Sequence, residues 1–185
     1  MIEVVRYSAE SKIIQMFPKA TGIQKQMLER ISVLNITEEF QEYLSSLVPY
    51  LVKFPQVTEK QIKKRFPKNK KLKIPDLSMI DYHYLTYLGW IDISTNKLFI
   101  VYNLQEEIIG VEAKYTPTNK KNICSLCNGY GEVALVSAIS KSRPAKSSPD
   151  YYKAVGNYMC INSYECNKNI TDVTNLERFI QNVIG

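Results

Sequence analysis

Cysteine occurs four times in the 185-residue chain, in two close pairs within its second half: Cys124-Ser-Leu-Cys127 and Cys160-Ile-Asn-Ser-Tyr-Glu-Cys166. Four thiolates complete the tetrahedron of a structural zinc site and leave no open position for a substrate. The spacing predicts one structural zinc ion held by Cys124, Cys127, Cys160 and Cys166. A secreted disulfide framework would use the same residues. The opening stretch Met1-Ile-Glu-Val-Val-Arg-Tyr-Ser, however, has neither a basic n-region nor an apolar h-region. A redox Cys-x-x-Cys would leave the second pair unexplained and prefers a βαβ setting, which the pattern lacks. An iron–sulfur cluster takes the same ligands but is rarer at this spacing. Gly129 and Gly131 follow the first pair closely, and a tight knuckle that aims N–H groups at sulfur needs residues tolerating positive φ. Zinc with four thiolates carries a net −2, which takes the formal charge of +6 to about +4.

Other chemistry finds little to build on. His83 is the only histidine, so no Cys-His or Ser-His pair with a second orienting imidazole can form, and a glycine-rich phosphate loop is absent. The reading is a non-enzyme with no catalytic residues and a structural His83.

Charge is concentrated in one place. Residues 58–75 carry Lys60, Lys63, Lys64, Arg65, Lys68, Lys70, Lys71 and Lys73 against Glu59 alone, while the stretches on either side are close to neutral. Such a run attracts phosphate backbone or an acidic protein surface, and equally serves as a solvated helix face and linker. No apolar run reaches the length of a membrane span. Metal-binding cysteines without a targeting segment predict a reducing cytoplasm and no membrane association.

The elements that must position the cysteines follow from periodicity. Ile23, Met27, Ile31 and Leu34 form one apolar stripe with a Thr21/Gln24 capping box. Phe40, Tyr43, Leu44, Leu47, Val48 and Leu51 form another, boxed by Asn35 and Glu38 and limited by Pro49. Further helices are predicted over 8–17, from Thr58 (boxed by Gln61) to before Pro67, over 78–88, and from about Thr171, the last carrying Val173, Leu176, Phe179, Ile180 and Val183. After Gly89-Trp90 the period changes to that of strands. Residues 98–102 and 107–115 read as a hairpin, 133–139 as a third strand and 156–160 as a short strand delivering Cys160; 141–150 read as a polar loop. The fold class is therefore α+β: an N-terminal helical bundle over 1–75, ending in the basic segment, and a C-terminal α/β domain over 76–185 with a treble-clef-like four-cysteine zinc site.

Ile-Cys-Ser-Leu-Cys-Asn at 123–128, Gly-Asn-Tyr-Met-Cys at 156–160 and Cys-Asn-Lys-Asn-Ile-Thr-Asp at 166–172 occur in this order, with Phe179-Ile180 beyond them and Lys73-Ile-Pro75 and Gly89-Trp90 before them. In these stretches the chain resembles the FusB/FusC-type fusidic-acid-resistance proteins, also called elongation factor G-binding proteins. The resemblance implies binding to elongation factor G through the zinc domain, release of the factor from the ribosome and relief of fusidic acid inhibition. It also implies a partner surface at Ile123, Tyr158 and Phe179. Ile123 stands where the family has an aromatic. Val155 replaces a lysine, for which nearby Lys153 substitutes. Lys168 joins this set, with balancing the thiolate charge as its other reading; Phe179 shares a face with Leu176 and Val183, which suits a core as well as a contact. The alternative function is a zinc-containing binder of ribosomal RNA acting through 58–75, where Phe54 and Phe66 could stack on bases. A monomer is expected in either case.

Overall fold

The computed structural model describes residues 2–145, 147–148 and 150–185, and the chain divides into two units between Val52 and Lys53. Lys146 and Pro149 of the predicted 141–150 loop lie outside the described residues.

The first unit is helical. Helices α1 (Ile2–Met16), α2 (Gly22–Glu29) and α3 (Thr37–Leu47) are joined by tight turns, with 3-10 turns at Arg30–Val33 and Val48–Tyr50. The Thr21/Gln24 box forms as predicted, each side chain meeting the other's backbone N–H. The Asn35/Glu38 box does not. The Asn35 N–H donates to the Glu39 carboxylate instead, at 2.6 Å, Asn35 Nδ2 donates to the Val33 carbonyl, and Asn35 Oδ1, the atom that would cap the helix, accepts from the Arg6 guanidinium. Of the α3 stripe only Tyr43 is buried, its hydroxyl donating to the Leu28 carbonyl. Phe40, Leu44 and Leu51 stay exposed. Among the described residues, Tyr43 and Leu34 are the buried apolar side chains of this unit.

The second unit is built on a five-stranded antiparallel meander: β1 (Leu88–Asp92), β2 (Lys97–Leu104), β3 (Glu107–Ile123), β4 (Tyr130–Ile139) and β5 (Ala154–Cys160), ordered as in the chain. Residues 98–102 of β2 are all buried because both faces are covered. Leu98, Ile100 and Tyr102 join one core; Phe99 and Val101 join the other. Helix α6 (Thr174–Ile184) seals the first face with Leu176, Phe179, Ile180 and Val183, an i, i+3, i+4, i+7 stripe. Helix α4 (Glu59–Arg65), capped by the predicted Thr58/Gln61 box, seals part of the second face with Ile62, followed by Phe66. Phe66 meets Phe99 edge-on at 5.1 Å between ring centroids, Trp90 stacks on Phe99 at 5.3 Å, and Trp90 Nε1 donates to the Lys73 carbonyl.

That packing moves the expected domain boundary. Phe54, Val57, Ile62 and Phe66 are buried with Leu88, Phe99 and Val101, so residues 53–75 belong with the sheet and not with the helical bundle. The helix predicted over 78–88 is also replaced, by 3-10 turns at Leu77–Met79 and Tyr82–Tyr84. The Asp76 and Asp81 carboxylates accept the N–H groups of Ser78 and His83, offering the backbone a turn in place of a helix.

Glycine at 110 is required by the approach of α4. A Cβ there would lie 2.7 Å from Arg65 Cβ and 2.9 Å from Phe66 Cζ, whereas one at Gly131 would meet nothing within 4 Å. Gly110→Ala should destabilise the zinc-loaded protein by about 1–3 kcal/mol through overpacking. Gly131→Ala should shift stability by about 0.5 kcal/mol or less. Urea unfolding followed by Trp90 fluorescence checks both; equal effects would contradict the packing argument.

Candidate metal centre

Three elements carry the sulfurs. β3 pairs with β4 beyond a register shift between Pro117 and Lys121, which lets the strand bend before it reaches Ile123. There the chain closes a knuckle: Cys124 N–H donates to the Gly129 carbonyl and Asn128 N–H to the Cys124 carbonyl, each at 2.9 Å. The positive φ that the knuckle needs falls on Asn128 (φ 56°), not on Gly129 or Gly131. Asparagine tolerates the left-handed region. Gly129 is needed for room instead, since a Cβ would come within 3.3 Å of Cys127 Sγ. Cys160 closes β5. Cys166 sits on a helix that the sequence pattern did not reveal, α5 (Ser163–Asn169), whose first turn is capped by the Asn162 side chain accepting from Tyr164 and Glu165 N–H.

The four Sγ atoms lie within 4.8 Å of one another, with Cys124 to Cys166 at 3.8 Å and Cys127 to Cys160 at 3.6 Å. A disulfide would need about 2.05 Å. A tetrahedral zinc with Zn–S near 2.3 Å places its sulfurs about 3.8 Å apart. The residues present therefore fit one structural zinc ion. Cys124 and Cys166 are fully buried, Cys127 nearly so and Cys160 partly. Backbone N–H groups of Leu126 and Cys160 point at Cys124 Sγ, at 3.4 and 3.3 Å.

The protons of the cluster compete. Cys124 is drawn down to about 4, chiefly because the Cys166 thiol donates to it, with further help from surrounding backbone N–H groups. Cys166, as that donor, is pushed far up, and burial with the neighbouring Cys124 charge lifts Cys160 to about 12. Without a cation the protons thus stay on Cys160 and Cys166, and a bound cation is what turns these two into thiolates beside Cys124.

Two residues outside the predicted set hold the site. Asn167, buried beside Cys166, accepts the N–H groups of Thr86 and Tyr87 through Oδ1 and donates Nδ2 to the Tyr87 and Ser163 carbonyls. Three of these bonds fasten α5 to the segment entering β1, and the fourth, to Ser163, stays within the helix. Tyr87, 3% exposed, hydrogen-bonds to Cys166; burial first and the nearby thiolate charge second push its hydroxyl well up. The only available signal was position: Asn167 follows a ligand directly, and Tyr87 precedes Gly89-Trp90.

The predicted partner residues separate. Ile123 (57% exposed) ends β3, and Tyr158 (44% exposed) lies on β5, where its carbonyl accepts the N–H of Ser125 from the knuckle. These two are therefore brought to the metal end of the sheet. Phe179 is not on the surface: at 2% exposed it belongs to the α6 stripe in the core. Lys168 does not neutralise the thiolates; its ammonium pairs with Glu165 at 3.2 Å and lies over the Tyr164 ring. Lys153 is exposed in the segment before β5, and its carbonyl accepts Ser140 N–H. His83 stays apart from the sulfurs, its Nδ1 2.9 Å from Asp81 Oδ1. All eight basic residues of 58–75 are exposed, with Lys63 paired to Glu59 and Arg65 to Glu107. Among the described residues no helix is long and apolar enough to cross a membrane.

A knuckle giving two thiolates, a strand end giving the third and a following helix giving the fourth define a treble-clef zinc protein. The chain belongs to the FBP C-terminal treble-clef zinc-finger family, whose pattern matches residues 62–182. Its structure is similar to the solved structure of the fusidic acid resistance protein FusC, at 25% identity, with a TM-score of 0.74 over 98% of this chain and 95% of that one. A comparison with curated protein sequences finds no match.

Tyr87→Phe keeps the ring and removes the hydroxyl that supports Cys166. Zinc affinity, measured by competition with a chromogenic chelator, should fall by about tenfold or more. In both proteins the affinity should drop as pH falls, because protons compete with the ion for the thiolates. Unchanged affinity in Tyr87→Phe would remove Tyr87 from the site.

Proposed function

We propose that the protein binds elongation factor G through its zinc-carrying unit and promotes the factor's release from ribosomes stalled by fusidic acid. The observation that carries this reading is the similarity to FusC over 98% of the chain, supported by the membership in the FBP zinc-finger family. The action is one of binding, with no bond made or broken. For binding to expel the factor, the complex must favour a factor conformation that the ribosome holds poorly, since a ligand shifts an equilibrium only by its differential affinity. Such a partner is met in the cytoplasm.

The contact residues of this reading are Ile123 and Tyr158 with Lys168 near them on α5, whereas Lys153 precedes the end of β5 that lies away from Cys160. An exposed tyrosine beside a rigid knuckle has the character of an interface anchor: large contact area, few rotamers and a polar tip. The role of Phe179 is indirect, as a wedge beneath the sheet.

Calorimetry with purified elongation factor G tests the proposal. Binding should be micromolar or tighter, and Tyr158→Ala should weaken it by about 2 kcal/mol while zinc content stays at one ion. The protein should also speed the departure of labelled factor from fusidic-acid-stalled ribosomes. No binding at concentrations of about 10 μM would overturn the reading.

A further inference from the structure

The second unit carries a groove of about 1070 Å³, beyond the usual range of about 300–1,000 Å³ for a small-molecule pocket. Six cationic side chains line it: Arg65 at the end of α4, Lys68 just after it, Lys97 opening β2, Lys114 on β3, and Lys141 and Arg143 after β4. They come from separate segments, and only Arg65 and Lys68 belong to the basic run that the sequence shows. Lys60, Lys63, Lys64, Lys70, Lys71 and Lys73 do not line the groove. Glu112 in the lining is engaged by Lys97 at 2.5 Å and by Asn69 Nδ2, and Arg65 is paired at 3.3 Å with the exposed Glu107 from outside the lining. Lys97 and Lys114 are direct cross-strand partners, so Lys114 stands on the same face of the sheet as the Lys97–Glu112 pair.

Two tyrosines complete the lining. Tyr152 is 71% exposed and Tyr151 is half-buried, its carbonyl accepting from Arg143. Cations in an open groove beside an exposed aromatic ring are the recurring composition of sites for single strands: ammonium and guanidinium groups track the phosphates, and bases stack on the ring. An acidic peptide would use the cations and leave the tyrosines idle.

We propose that this groove binds single-stranded nucleic acid, with phosphates on Arg65, Lys68, Lys114 and Lys141 and a base stacked on Tyr152. This site is separate from the metal-end contact residues and does not depend on the proposed partner.

The test is fluorescence anisotropy of a labelled oligouridylate dodecamer, and of its DNA counterpart, with the zinc-loaded full chain. Between about 50 and 200 mM salt, log affinity should fall against log salt with a slope of about −3 to −4, as four to six phosphate contacts require. The double variant Lys114→Ala/Lys141→Ala should flatten the slope by about 1.4 and lose about tenfold or more in affinity. The control Lys60→Ala/Lys71→Ala, outside the groove, should lose about twofold or less. Tyr152→Ala should cost about fivefold or more at unchanged slope, a signature that loss of charge does not produce. Zinc content and circular dichroism report that each variant is folded. Absence of oligonucleotide binding at the lowest salt would overturn the proposal. So would equal losses from both lysine pairs, or inorganic polyphosphate or oligoglutamate competing as well per charge with Tyr152→Ala silent.

Discussion

Four sulfur atoms gathered within 4.8 Å and largely removed from water repel one another as thiolates, and the cluster is stable in that form only around a cation. The geometry of the second unit hangs on this requirement. The ion joins the end of β3, the end of β5 and the middle of α5, three points widely separated along the chain. With Asn167 fastening α5 to the entry of β1, both ends of the meander are tied to the same centre. A chain ordered by ligand bonds needs fewer apolar contacts locally, which is how a seven-residue helix carrying Cys166 persists.

The sheet converts that local order into a platform. Its two apolar faces give it rigidity, with α6 on one and α4 with the 54–57 stretch on the other. Strand β3 serves two regions at once: Lys114 contributes to the cationic groove before the register shift, and Ile123 reaches the knuckle after it. Substitutions at the shift would therefore be felt at both. The first unit stands in contrast. With Tyr43 and Leu34 as its buried apolar residues among those described, its helices rely on caps and turns more than on burial.

Local chemistry was legible in the sequence, and long-range packing less so. Thiolate spacing identified the metal set, and the Thr21/Gln24 and Thr58/Gln61 boxes formed because their partners are three residues apart. The same motif at Asn35 and Glu38 failed because Arg6, 29 residues away, takes the capping oxygen of Asn35 while Glu39 takes its N–H. Residues 78–88 carry a helical period, yet Asp76 and Asp81 hold the backbone in turns and Leu88 is drawn into the sheet. The boundary after 75 was misplaced because the charge of 58–75 hides Ile62 and Phe66, the two residues that decide where the segment packs. Phe179 could be core or surface by pattern alone; only the covered face of the sheet settles it. Asn167 escaped notice because a buried asparagine is recognised by its partners, eighty residues away in sequence.

The coordination shell is the point on which everything else turns, and zinc K-edge X-ray absorption of the purified protein reads it directly. The predicted spectrum is one zinc per chain with four sulfur neighbours at about 2.3 Å and no nitrogen or oxygen in the shell. A mixed shell with nitrogen or oxygen ligands, or metal-free protein with the cysteines paired as disulfides, would contradict it.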